Sequence, residues 1–167
     1  YKNAIKYADE AQKILFEQNA KEIDEIQRGI LSISRREKPF DIFISYKETD
    51  ANGTRTQDSV VAQGLYNDLT AEGYKVFFAR ITLEDKVGTE YEPYIYAALA
   101  SSKVMITVCS KKEYMEAPWV KNEWSRYLSF VAKGNDKTLI PLYYDMERDE
   151  LPDEFAHLNS YDMKENG

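Results

Sequence analysis

One cysteine and one histidine are too few for much of the chemistry that side chains perform. With Cys109 alone, this 167-residue chain has no internal disulfide and no cysteine-built metal cluster. At the end of an apolar run, Cys109 reads as an inert small hydrophobe. His157 would have to serve any histidine-based triad or metal site by itself, and nothing near it in sequence supports that, so it reads as a surface residue. Positive charge is also scarce. The 22 Lys and Arg stand against 29 Asp and Glu, a net charge of -7, which argues against a nucleic-acid-binding face. No apolar run reaches the length of a membrane span, and no signal-peptide pattern is present. The glycine-built cradles are missing too: no Gly-x-Gly-x-x-Gly after the first strand, no P-loop and no Gly-x-Ser-x-Gly elbow.

What is present is a foldable chain. Apolar residues make up 43% of it, enough for a core, and the length suits one ordinary domain with an accessory element. The first residue is Tyr1, not Met, so we expect a piece of a longer protein with flanking domains. Residues 1–38 form the accessory part. Ala4, Ala8, Ala11 and Leu15 lie at helical spacing, and Ile23, Ile26, Ile30 and Ile33 repeat along one face. This predicts a helix that packs on the domain or links it to an upstream part; about two heptads are too few to require self-association. Arg35-Arg36-Glu37-Lys38-Pro39 is the junction, and its proline stops the helix.

Residues 39–167 alternate strand and helix. Phe40–Ser45, Tyr74–Ala79, Lys103–Cys109 and Thr138–Tyr143 read as strands, the last near an edge or ending at Pro141. Asn52-Gly53 marks a turn. Val61, Leu65 and Leu69 give the core face of a helix ending at Gly73, and a helix is expected from Trp119 to Val131. The tail from Asp145 is acidic and mostly irregular, with a short strand around Tyr161-Asp162-Met163. Strand-helix units of this length imply a parallel sheet covered on both faces.

The carboxylate that stands out is Glu92, after the second strand and at the mouth of the next helix, a place where α/β folds put ligands. Thr89-Glu90-Tyr91-Glu92 matches a capping box, which would make Glu92 a helix-start residue and nothing more. Pro93 opposes that reading: with Thr89 as N-cap it falls where the amide should donate the first intrahelical bond. With Pro93 as the first helical residue, Glu92 becomes an N-cap, a role glutamate seldom fills. Both readings, cap and chemistry, stay open on spacing alone.

The run Phe40-Asp41-Ile42-Phe43-Ile44-Ser45-Tyr46 resembles the first-strand box of TIR domains, the Toll/interleukin-1 receptor and resistance protein homology domains. The loop from Arg80 to Glu92 resembles their BB loop, and Ser110, Tyr114, Trp119 and Glu123 echo the Ser…Tyr…Trp…Glu run of the family. The likeness covers residues 40 to about 163 and is greatest to bacterial members.

The resemblance implies a flavodoxin-like three-layer α/β domain with strand order 2-1-3-4 and a short fifth strand, preceded by the N-terminal helical extension. It also implies an NAD+ glycohydrolase in bacterial immune signalling, anti-phage defence or host interaction, acting in the cytoplasm. NAD+ would be substrate rather than cofactor, with no metal, and the product linear or cyclic ADP-ribose. Alignment on the helix after the BB loop puts the catalytic glutamate at Glu92, with Glu90 and Glu84 as alternatives. Phe43, Tyr46, Lys47, Trp119 and Glu123 match positions around the nucleotide pocket, while Arg80, Leu83, Glu84 and Gly88 belong to the loop through which such domains self-associate. On their own residues, Phe43 reads as core, Lys47 equally as a solvated loop lysine, and Trp119 with Glu123 as packing and a surface pair along one helix. The alternative function is a non-catalytic TIR–TIR scaffold, and a weaker one is a sensor of another nucleotide.

The chemistry suits a single carboxylate. Nicotinamide leaves the N-glycoside as a neutral molecule, so no general acid is required, unlike the two-carboxylate arrangement of ordinary glycosidases. One ionised group beside the ribose can stabilise the oxocarbenium-like transition state.

Overall fold

The computed structural model describes residues 39–82, 91–134 and 136–166, with the side chains of 91–93, 165 and 166 left aside. The N-terminal extension and the loop residues Leu83, Glu84, Gly88 and Glu90 lie outside the described residues.

The strands are β1 (Ile42–Tyr46), β2 (Val76–Phe77), β3 (Val104–Cys109), β4 (Thr138–Tyr143) and β5 (Tyr161–Asp162). The helices are α1 (Gln57–Ala71), α2 (Ala79–Thr82), α3 (Tyr91–Ser101), α4 (Lys112–Met115), α5 (Pro118–Ala132) and α6 (Met163–Asn166). Every strand pairing is parallel, in the order β2-β1-β3-β4-β5, so the expected order 2-1-3-4 and the short fifth strand are both observed. The chain turns one way from β1 to β2 and the other way from β1 to β3. Ligands of open α/β sheets bind at the carboxyl edge beside such a reversal.

Residue alternation along the strands separates two apolar layers. Ile42, Ile44, Tyr46, Val76, Ile106 and Val108 pack with Ala62 of α1 on one face. Phe43, Phe77, Met105 and Cys109 pack on the other face with Leu99 of α3 and Trp124 and Tyr127 of α5. Strands buried on both sides must be apolar at successive positions, which is the pattern of β1. Buried aromatic tips are satisfied: Trp124 Nε1 donates to the Met115 carbonyl at 3.0 Å and Tyr127 Oη to the Ser102 carbonyl at 3.1 Å.

Local chemistry sets the ends. Thr56 caps α1, its hydroxyl accepting from Ser59 N at 3.1 Å, and Gly73 closes the following turn with φ +93°. Asn52-Gly53 turns as expected, with Asp50 Oδ1 accepting from Asn52 N and Thr54 N.

The strand expected over Tyr74–Ala79 shortens to Val76–Phe77. Phe78 O accepts from Ile81 N and Thr82 N, and Thr82 Oγ1 accepts from Phe78 N, so the backbone turns into α2 instead of extending an edge strand. Arg80, expected in a loop, therefore sits on a helical turn. Pro141 lies inside β4 rather than at its end. β5 pairs only with Leu142 and Tyr143, so one side of β4 is open at the proline, where its missing N–H costs no ladder bond.

Thr107, opposite Ser45 across β1 and β3, is fully buried, and its Oγ1 has no hydrogen-bond partner. Replacing an orphaned hydroxyl by a methyl of the same shape removes a desolvation cost. Thr107→Val is expected to raise stability by about 1 kcal/mol, read from urea denaturation midpoints. A loss of stability would show that the hydroxyl has a partner after all.

Among the described residues, no helix is long and apolar enough to cross a membrane, and no cluster of His, Cys, Asp and Glu could hold a metal ion.

Candidate functional site

A cleft of about 440 Å³ opens at the carboxyl edge of the sheet, lined by Ile44, Tyr46, Lys47, Glu48, Ala79, Arg80, Trp119, Val120 and Glu123. Three segments build it: the end of β1 with its loop, the turn into α2, and the first turns of α5.

Glu123 is its central group. Only 6% of the residue is exposed, an unusual position for a carboxylate. Both oxygens are held. Ser45 Oγ donates to Oε2 at 2.5 Å from the floor, and Trp119 Nε1 donates to Oε1 at 2.7 Å from the preceding turn of α5. The i, i+4 spacing of Trp119 and Glu123 puts them on one helix face, and Pro118 at the helix start fixes where that face begins. Burial pushes the carboxyl up to about 7, while the bonds from Ser45 and Trp119 oppose that rise. Trp119 is 46% exposed and forms the rim.

The opposite wall is polar. Tyr46 stacks on Phe78 with centroids 5.0 Å apart, and its hydroxyl accepts from Arg80 N at 3.4 Å. Burial, with the Glu48 charge beside it, holds the phenol above its ordinary range, so Tyr46 stays neutral. Glu48 pairs with Arg80 Nη1 at 2.8 Å and accepts from Ser59 Oγ at 2.9 Å. Burial alone would raise the Glu48 carboxyl; the hydrogen bonds from Ser59, Arg80 and Tyr46 and the Arg80 charge outweigh it and hold the group below its ordinary value. Lys47 adds a second cation on this side.

The fold thus brings Tyr46, Lys47, Arg80, Trp119 and Glu123 around one cleft. Phe43 is not among them. It is fully buried and stacks on Phe77 at 4.6 Å, on the same strand face as Ser45 but one layer lower, so it is a core residue. The pairing of Trp119 with Glu123 is real, but it is not a surface pair, because the carboxylate points into the cleft under the sheet edge. Cys109 is buried, and burial pushes its thiol up to about 12, which suits an inert role. His157 is exposed.

Glu92 belongs to α3, and its side chain lies outside the described residues. The residues before Tyr91, on which the capping argument about Thr89 and Pro93 depends, lie outside the described residues.

Two residues that hold the groups of the cleft escaped sequence reasoning, Glu48 on its wall and Ser45 buried behind Glu123. Ser45 was hidden as one more residue of an apolar strand, and Glu48 as a solvated neighbour of Lys47. Their partners, Glu123 and Arg80, are 78 and 32 residues away.

Compared with known proteins, residues 42–167 match a family model described as a TIR domain. No match was found among curated proteins. A solved structure, a metazoan TIR-STING receptor from C. gigas in complex with 2′,3′-cGAMP, is similar in fold, with a TM-score of 0.53 at 22% identity. The likeness covers 74% of this chain and 35% of that one, so the present chain spans about a third of that receptor's length.

Proposed function

Because the chain belongs to the TIR domain family, on a match over residues 42–167, we propose that its cleft cleaves the nicotinamide–ribose bond of NAD+, with Glu123 as the working carboxylate. The observation that carries this reading is a buried carboxylate with both oxygens oriented, facing an open cleft between an aromatic rim and two cations.

The geometry suits the chemistry. An ionised Glu123 beside the ribose would accept from its hydroxyls and lie close to the carbon that gains positive charge as nicotinamide departs. Few water dipoles reach a carboxylate this buried, so its charge acts on the transition state with little screening. Trp119 offers a planar face for a ring at the rim. In this reading Lys47 and Arg80, which line the cleft, would meet the diphosphate of the same molecule. Self-association through the segment from Arg80 to Glu90, which would complete or enclose the cleft, belongs to the same proposal.

The test is nicotinamide release by the purified chain at high protein concentration, beside Glu123→Gln and Glu92→Gln. Release that survives Glu92→Gln and is lost in Glu123→Gln supports the reading. Release lost only in Glu92→Gln would return the chemistry to the helix after β2. No release by the parent, even under forced assembly, would favour a TIR scaffold without catalysis. In an active parent, Lys47→Gln is expected to raise KM for NAD+ about tenfold with kcat nearly unchanged, since a cation far from the reacting bond binds ground and transition states alike. A fall in kcat at constant KM would place Lys47 near the bond instead.

A further inference from the structure

Ser45 carries the single aliphatic hydroxyl in the five-residue strand β1, whose every residue is buried. An apolar residue would serve the sheet better there, because a buried hydroxyl costs stability unless it is hydrogen-bonded. This hydroxyl bonds to Glu123 Oε2, and the two residues are 78 positions apart in sequence. Thr107 lies directly opposite on β3, in register with Ser45 and on the same sheet face as Met105 and Cys109. Its hydroxyl is equally buried and has no partner. Of two adjacent hydroxyls in the same layer, one is engaged by the carboxylate and the other is not.

We propose that Ser45 is a positioning residue for Glu123, its buried hydroxyl fixing the carboxylate from the cleft floor while Trp119 fixes it from the rim. This rests on the choice of Glu123 as the working carboxylate, and it deepens that choice. Two donors on two different oxygens stop the carboxylate from rotating about its last bond. Both bonds are to the charged form, so each also favours ionisation. The other charged or titratable groups lining the cleft are Tyr46 of β1, Lys47 and Glu48 of the following loop, and Arg80 of α2. The causes resolved for Glu123 are burial, which raises its carboxyl, and the bonds from Ser45 and Trp119, which lower it. The described hydrogen bonds to the Glu123 carboxylate come from Ser45 and Trp119.

The deciding measurement is a carboxyl titration by NMR on protein labelled with ¹³C-glutamate, the Glu123 signal being the one missing in Glu123→Gln. Ser45→Ala is expected to move the Glu123 midpoint up by about one pH unit. Ser45→Cys, with nearly the same volume and a weak donor, is expected to shift in the same direction, and it keeps the test open if alanine destabilises the strand. Thr107→Val, one strand away, is expected to leave the midpoint in place. An unmoved midpoint in both Ser45 variants, or an equal shift in Thr107→Val, overturns the proposal, since a merely structural hydroxyl would have no selective hold on the carboxylate. The titration needs no turnover of NAD+. A moved midpoint in a chain without NAD+ cleavage would uphold the positioning role while removing the hydrolase reading. Where the chain is active, Ser45→Ala is expected to lower kcat at neutral pH and regain part of it at higher pH.

Discussion

Glu123→Gln is expected to cut nicotinamide release by at least about a thousandfold, corresponding to about 4 kcal/mol of transition-state stabilisation. Glutamine has the shape of glutamate and can still accept from Trp119 Nε1 at the rim. The Ser45 hydroxyl can rotate to accept from the new amide. What disappears is the negative charge. The ribose gains positive charge as the neutral base departs, and a buried anion close to it acts through a medium far less polarisable than water. The loss should fall on kcat more than on KM, because the charge matters chiefly when the bond is breaking. Steady-state nicotinamide release by parent and variant, at matched thermal midpoints, decides it. A variant retaining more than about a tenth of parental kcat would remove Glu123 from the chemistry.

The same substitution is expected to change how stability depends on pH. Burial raises the Glu123 carboxyl from its ordinary 4.5 to about 7 in the folded chain. The folded state therefore holds this proton more tightly than the unfolded state does. The sign follows from linkage: stability from this group is fully present below about 4.5 and is lost as pH rises through about 7. The separation of the two values corresponds to about 3 kcal/mol. Glutamine does not titrate, so Glu123→Gln should gain about 3 kcal/mol on the parent between pH 4.5 and 8.5, with most of the gain before pH 7.5. Urea denaturation across that range measures it. Parallel curves for the two proteins would mean that the carboxyl titrates normally and is better solvated than its position under Trp119 implies. Together the two expectations describe a residue whose charged form costs stability at the pH where the chemistry needs it, a common condition of working sites.

Several of the residues that build the cleft were already prominent in the chain. Tyr46, Lys47 and Arg80 stand just past apolar strands, where ligand-binding loops begin. The Trp119–Glu123 spacing is visible as a helical pair. The near-continuous apolar runs of Phe40–Ser45, Lys103–Cys109 and Thr138–Tyr143 were enough to expect a parallel sheet, because a strand covered on both faces has little room for polar residues. The Asn52-Gly53 turn and the stop at Gly73 were legible because only certain residues adopt those backbone conformations without strain.

The weighting of residues within the cleft was not legible. Glu92 drew attention through its neighbour Pro93, and its side chain and the residues before Tyr91 lie outside the described residues. Phe43, a pocket position by resemblance and a core residue by its place in an apolar strand, is sealed against Phe77. Glu123 looked like a surface glutamate because nothing within several residues of it predicts burial.

The sequence by itself determined the elements, their order and the parallel sheet, since periodicity, capping and turn chemistry act over a few residues. Only the tertiary structure decided that Glu123 is buried with both oxygens held. Desolvation and hydrogen bonding depend on what packs around a group, and the packing that makes Glu123 distinctive comes from Ser45, brought beneath it by the folding of β1 against α5.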